Sequence, residues 1–487
     1  MKNRINLDFM LINFPAPQGK ISNKDMMGGF GQMYEGGKDT SKIPTIDMAY
    51  VAGESQKEGL KFSVIDGLVE NLLFNQILLR ILENNPKYLF IRTSTSSFDW
   101  DISLIDKISL KFKGDIFLFG PHVEQNREEV MGFKGIRGIV TSEPEKTIPE
   151  IFLKGLNKTK GIWYKKSLNL VRNLDRKLIV DLDKISFPAW EYFPYTEYKS
   201  GPHIRDIQPF VTMLTSRGCP YSCIYCPYPL GQGKKFRGRS AKNVVDEFVM
   251  LKERYGVKAV LLRDPVFSFD QKRAEEICNG LIQKKINVSW RCETRIDCLS
   301  EKLVKLMAKA GCIGINIGLE SFSIEVLRNL KTRPKKHMSL KKLVRLCRKV
   351  DLELYLFFII GLPRESKKSM LKTIKMVRRL GVRFSQFTIS TPYPNTKLKS
   401  WAEENNFIID GSKNKITGYE CMMRNERMGP ETITSLYKYA NFSSSLGAYN
   451  VLRRIKERGL LQIVREFVKI LISFQLFLRV LFKSEEK

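Results

Sequence analysis

Arg217-Gly-Cys219-Pro-Tyr-Ser-Cys223-Ile-Tyr-Cys226-Pro, directly after the apolar run Phe210–Leu214, decides how the rest of this sequence is read. A strand that feeds straight into a loop with Cys-x3-Cys-x2-Cys spacing places three thiols at one strand end. Three thiolates on so short a loop can bind three irons of a cubane cluster and leave the fourth iron to another ligand. Electron-transfer clusters typically close all four positions with cysteine. Zinc sites pair two short Cys or His hairpins. This sequence has no second pair, and only 3 histidines. Zinc binding, or three incidental cysteines, are the alternatives.

Around the loop, strands and helices alternate from about 206 to 410. Strand candidates are Phe210–Leu214, Ala259–Leu262, Val288–Arg291, Gly314–Ile317, Leu354–Ile360 and Ser385–Ile389. Helical stretches lie between them at Ala241–Tyr255, Asp270–Lys284, Glu301–Ala310 and Leu340–Val350. Repeated βα units predict a full or partial α/β barrel with its site at the carboxyl ends of the strands.

Towards the amino terminus the same alternation recurs. Phe9–Phe14, Phe62–Asp66, Tyr88–Arg92, Ile116–Gly120 and Gly138–Thr141 read as strands; Pro44–Gly59 and Leu68–Asn84 read as helices; a Gly-rich loop follows the first strand. Continuous apolar strands alternating with helices predict a parallel sheet covered on both faces. Residues 1–155 are therefore expected to form one doubly wound α/β domain. Residues 156–205, with Gly161, Pro188, Pro194 and Pro202, read as an irregular linker. Residues 411–487 read as helical. The stretch 460–482 is apolar but carries Arg465, Glu466, Lys469 and Arg479. Those charges argue against a membrane span, which needs about 20 nearly uncharged residues. They leave a membrane-surface helix or a protein-packed one.

The chain has 487 residues, 43% of them hydrophobic, which excludes a disordered chain or a small disulfide scaffold. Lys+Arg of 82 against Asp+Glu of 51 gives a net charge of +31. Such a field attracts phosphates, anionic lipid or acidic partners. A lysine-rich proteome gives the same balance. The 9 cysteines are an odd number and mostly scattered. With no signal-peptide pattern at the start, they read as thiols of a reducing cytoplasm. Peripheral contact with the inner membrane face is the variant of this expectation.

The cysteine loop, with aromatic Tyr225 before its last cysteine, resembles the signature of the radical S-adenosylmethionine (SAM) superfamily. The resemblance implies a 4Fe–4S cluster on Cys219, Cys223 and Cys226, with SAM chelating the open iron and yielding a 5′-deoxyadenosyl radical on reduction. It also implies a reductant such as flavodoxin or ferredoxin. Further stretches resemble the family's SAM-contacting strand ends. Leu261-Leu-Arg-Asp264 stands at the second strand, where Asp264 meets the SAM amino group or merely caps the strand. Glu293-Thr-Arg295 stands at the third. Gly318-Leu-Glu320 stands at the fourth, where Glu320 faces SAM, with Arg295 as an alternative partner. Gly361-Leu-Pro-Arg-Glu365 stands at the fifth, with Gly361 near the adenine and Glu365 as a helix cap.

The first domain resembles cobalamin-binding domains fused to such barrels, on Pro44–Gly53, Phe62–Asp66, Gly120-Pro-His122 and Thr141-Ser-Glu-Pro-Glu145. None of His122, His203 and His337 lies in the Asp-x-His-x-x-Gly loop of relatives that supply a cobalt ligand. The hydroxyls of Arg92-Thr-Ser-Thr-Ser-Ser97 bond a corrin tail or cap a helix. The combination implies a cobalamin-dependent enzyme, with methyl transfer to an unactivated carbon as the expected outcome. The basic surface and the apolar stretch 460–482 favour a lipid or isoprenoid substrate and fit a soluble natural-product precursor as well. Two alternatives are a radical SAM enzyme whose first domain binds no cobalamin and which cyclises or couples its substrate, and an RNA-modifying protein. No basic stripe interleaved with aromatics supports nucleic-acid binding.

Overall fold

The structure is a computed structural model that describes residues 7–445, except 26, 37–39, 168, 201–203, 205–206, 331–337 and 383. The helix read at 460–482, and His203 and His337, lie outside the described residues.

The first sheet takes its strands in the order β4-β1-β5-β6-β7-β8-β9. These are β1 (Phe9–Asn13), β4 (Phe62–Asp66), β5 (Tyr88–Arg92), β6 (Asp115–Phe119), β7 (Gly138–Val140), β8 (Ile162–Lys166) and β9 (Asn169–Arg172), while β2 (Lys20–Asn23) and β3 (Gln32–Glu35) pair separately. The pairs from β4 to β7 are parallel; β8 and β9 are antiparallel additions. Alternate side chains serve two cores: Phe9, Leu11, Phe90 and Phe117 face one, and Met10, Ile12, Leu89 and Ile91 face the other. Both faces are therefore covered, as period-2 alternation in a buried strand requires. From β1 the chain goes to β4 on one side, then crosses to β5 on the other. The switch point, where doubly wound sheets hold ligands, is thus at the carboxyl ends of β1 and β5.

The second sheet is fully parallel, in the order β10-β13-β14-β15-β16-β17. Its strands are β10 (Phe210–Met213), β13 (Ala259–Leu262), β14 (Ser289–Thr294), β15 (Cys312–Glu320), β16 (Glu353–Ile360) and β17 (Phe384–Ile389). A short ladder of β11 (Ser216–Arg217) and β12 (Arg237–Gly238) frames the cysteine loop. Helices cover the outside as expected, many of them N-capped by a serine, aspartate or threonine side chain, as at Ser240, Asp270, Ser300 and Thr396. One apolar core runs without a break from Phe9 through Val211 and Leu356 to Ala440. The two sheets are packed on a shared interior.

Four expectations are corrected. Ile162–Lys166 and Asn169–Arg172 are strands rather than part of an irregular linker; they pair with each other past left-handed Ser167 and extend the first sheet. The Gly-rich loop after β1 is the β2–β3 hairpin. Leu68–Asn84 is two helices, Gly67–Glu70 and Phe74–Asn84, because Asn71 adopts a left-handed conformation between them. Residues 411–429 hold only one short 3-10 turn; continuous helix starts at Pro430. There Asn425 Nδ2 donates to the carbonyls of Leu362 (2.7 Å) and Glu365 (3.0 Å), tying the segment to the barrel.

Candidate cluster and cofactor site

The cysteine loop leaves the end of β10 and is held from both sides. Arg217, two residues before Cys219, is buried and donates to Glu143 (2.9 Å) and Glu145 of the first domain. Arg237 donates to Glu143 as well, at 2.8 Å. Burial raises the Glu143 carboxyl, but the two guanidiniums outweigh it and hold it low. On the far side the Ile224 amide donates to Leu330 O (3.1 Å) and its carbonyl accepts from Leu398 N (2.9 Å).

Cys219, Cys223 and Cys226 line one cavity of about 250 Å³, together with Tyr225, Arg295 and Glu320. Among the described residues, no three His, Cys, Asp or Glu side chains converge as a single metal ion would need. Three thiols lining one cavity fit a cluster that offers each thiolate its own iron. Burial pushes the Cys219 thiol up to about 11 and raises that of Cys226 too. Thiolates there need a strong counter-cation, which iron is.

Glu320 ends β15 at a register shift against β16 and has a positive φ of 61°. A Cβ on Gly318 would sit 2.5 Å from Glu320 Oε1, so only glycine there lets the carboxylate fold back over the strand. Burial and Glu320 raise the Tyr225 phenol, which is hydrogen-bonded to that carboxylate. Arg295 forms a two-point pair with Asp297 (2.8 and 2.9 Å), and its guanidinium stacks 3.8 Å over the Tyr221 ring at the cavity wall.

Two sequence candidates stand elsewhere. Asp264 is fully buried and does not line the cavity: its carboxylate accepts from the Thr215 amide (2.7 Å) and from the Thr215 and Ser216 hydroxyls (2.6 Å for Ser216). It anchors the start of the cysteine loop, which is the capping alternative. Gly361 has a φ of 86° and packs against Ser390 and Ile433, outside the cavity. Its amide donates to Glu365, whose carboxyl burial pushes up to about 8.

The sequence reading missed Arg263 as a participant and gave Glu293 no role of its own. Glu293 lines the cavity and accepts from Arg263 (2.7 Å) and from Tyr228 OH (3.3 Å). Arg263 also donates to Asp25, in the loop before β3, at 3.0 Å. Asp25 lines a second, interdomain cleft of about 90 Å³, between the ends of β5–β7 and Arg217. Burial raises the Asp25 carboxyl to about 6 against the pull of Arg263.

The switch point itself is filled by protein. Lys24 and Asp101 form a fully buried ion pair at 2.9 Å, and Thr93 and Ser97 donate to the same carboxylate. Arg92 pairs with Asp47 at 2.7 Å and donates to Gly29 O. His122 is buried beside Thr95 (3.0 Å), and burial pushes its pKa to about 3, so the ring is neutral. Ser142 Oγ and Gln232 Oε1, both on residues lining the interdomain cleft, are buried without a hydrogen-bond partner. These orphaned atoms suit the amide fringe of a corrin. The glycines lining the cleft do not add to that fit, since a Cβ on Gly29 or Gly231 would strike Pro121 or Gly28 O. The cleft can take only an edge of such a ring.

A cluster-bearing loop at the mouth of a parallel α/β barrel, with a carboxylate facing it, defines an iron–sulfur enzyme of the SAM-cleaving type. The signature of the Radical SAM superfamily matches residues 213–377. An uncharacterised methyltransferase of Pyrococcus horikoshii is 31% identical over 411 residues, covering 82% of this chain and 87% of that protein. The chain belongs to the radical SAM superfamily. A bacteriochlorophyllide d C-12(1)-methyltransferase of Chlorobaculum tepidum is 26% identical, but the match spans only 48% of this chain and 51% of that one. The fold is that of TsrM from Kitasatospora setae, a radical SAM methyltransferase solved with cobalamin and a [4Fe-4S] cluster: TM-score 0.64, 17% identity, 82% of this chain and 75% of that one.

Proposed function

We propose that this chain is a cobalamin-dependent radical SAM methyltransferase acting on a carbon of a small molecule. The observation that carries the reading is the single cavity shared by Cys219, Cys223, Cys226, Tyr225 and Glu320, with Arg263 linking its wall to the interdomain cleft. In this reading Cys219, Cys223 and Cys226 hold the cluster. Glu320 takes the SAM ammonium and Tyr225 orients that carboxylate. Arg295 fixes the Tyr221 wall. Ser142 and Gln232 hold an edge of the corrin. When bound, the cluster and SAM supply hydrogen-atom abstraction from carbon, and cobalamin supplies a transferable methyl group. The substrate is a lipid, isoprenoid or natural-product precursor, a reading favoured by the basic composition and the apolar stretch 460–482. Deleting 460–487 is expected to remove activity on lipid vesicles while SAM cleavage in solution persists; unchanged vesicle activity removes the lipid substrate.

One observation favours a second reading, in which the first domain is a scaffold that binds no cobalamin: its switch point is closed by Lys24–Asp101 and Arg92–Asp47. Corrin content separates the two. The chain is expressed with cobalamin supplied, purified anaerobically and reconstituted with iron and sulfide. Stoichiometric corrin absorbance supports methyl transfer. No corrin, with SAM still cleaved, leaves radical chemistry alone.

A further inference from the structure

The helices Leu340–Lys349 and Lys367–Leu380 flank β16 and carry no acidic residue. Lys341, Arg345 and Lys349 recur at i, i+4 and i+8 and are exposed. Lys368, Lys372, Lys375 and Arg379 recur at i, i+4, i+7 and i+11 along the second helix and are exposed too. The opposite faces are buried through Leu343, Val344 and Cys347, and through Met370, Ile374 and Val377. Arg348 ties the carboxyl ends of the helices together by donating to Leu380 O (2.8 Å) and Gly381 O (2.7 Å), so the two basic stripes belong to neighbouring helices on one side of the barrel.

Like charges one turn apart destabilise a helix, and neither helix has an acidic residue of its own to offset them. The other long barrel helices differ: Asp246, Glu247 and Glu253 lie on one, Glu275 and Glu276 on the next, Glu301 on the third. A general excess of lysine therefore does not account for this face. Its neighbouring acids are few. Glu301 pairs with Lys342, Glu325 with Arg427 (2.9 Å), Glu426 accepts from the Arg364 amide (2.8 Å), and Asp351 is exposed beyond the first helix.

The face begins beside the cysteine loop. Leu362, in the turn that leads into the second helix, shares a small apolar cluster with Val326 and Leu330, against which Ile224 and Tyr225, between Cys223 and Cys226, pack. From that point the helix runs outward for about 21 Å at 1.5 Å per residue. Cluster chemistry consumes one electron from outside the chain: the cluster gains it, the donor loses it, and no proton moves. We propose that this face is the docking surface for an acidic, low-potential one-electron carrier protein that reduces the cluster. The inference rests on the cluster reading and is independent of cobalamin and of substrate.

The test uses the full reconstituted chain, a flavodoxin and a plant-type ferredoxin as probes, and a K368E/K372E/R379E variant. A K107E/K111E/K113E variant, altered at exposed lysines of the first domain, controls for net charge and folding. Carrier affinity of the barrel variant is expected to fall about tenfold or more, with a shallower salt dependence, because rim charges act mainly on encounter. Bleaching of the cluster absorbance by the reduced carrier slows, while bleaching by dithionite is unchanged. Unaltered carrier binding in the barrel variant overturns the proposal. So does loss of binding to phosphatidylglycerol vesicles with carrier binding intact, which makes the face a membrane surface. Failure of dithionite to reduce the cluster in either variant or the parent strikes the cluster reading instead.

Discussion

Arg263 lies buried between Asp25 and Glu293, one from each half of the molecule. Replacing it with Met leaves two carboxylates without their shared cation. Breaking a buried pair in this way costs about 3–5 kcal/mol, so R263M is expected to lose roughly that in urea-unfolding free energy. With Glu320 proposed to take the SAM ammonium, Glu320→Gln removes a charge-assisted contact and not an iron ligand. Its SAM affinity is expected to fall by about tenfold to a hundredfold, from the roughly 1.5–3 kcal/mol of such a bond, with iron content per chain unchanged. Cysteine spacing made the loop legible from sequence, because only adjacent strand-end residues are needed to read it. Asp264 and Arg263 show where that reading ends. Consecutive residues at a strand end point to opposite sides, and nothing local says which one meets the cavity. The outcome was decided by Thr215 and Ser216 on one side, and by Asp25 and Glu293 on the other.

At the scale of elements, the turn after β16 carries a pH signature. The Glu365 carboxyl rises from its ordinary 4.5 to about 8, chiefly by burial. The folded state thus keeps a proton that the unfolded chain gives up. Stability from this group is fully present below about pH 4.5 and declines as pH climbs to about 8. Glu365→Gln is expected to flatten that decline, measured by thermal unfolding across the interval. His122 has the opposite sign: its pKa is driven down, so its contribution is complete above about 6.5 and fades as pH falls towards 3. Regular strands were readable as short continuous apolar runs between helices. The β2–β3 and β8–β9 hairpins were not, since glycines in the first and lysines in the second broke their patterns, and cross-strand pairing supplied what local propensity lacked.

Across the whole molecule, the unbroken core from Phe9 to Ala440 joins the two sheets. Trp163 lies on the first sheet and Trp290 on the second. Far-ultraviolet circular dichroism and tryptophan fluorescence are therefore expected to report one coincident denaturant transition, as two-state unfolding requires. Two separated transitions would show that the shared interior does not couple the halves. The Asp25–Arg263 pair bears on ancestry as well. Its members stand 238 residues apart in the chain and belong to segments that gene fusion could have joined. A chimera that takes its first 150 residues from a relative without an acid at that position would inherit an arginine short of one counter-charge. Natural shuffling of these halves is thus constrained to exchange both residues together, and the two positions should vary as a pair when lineages are compared.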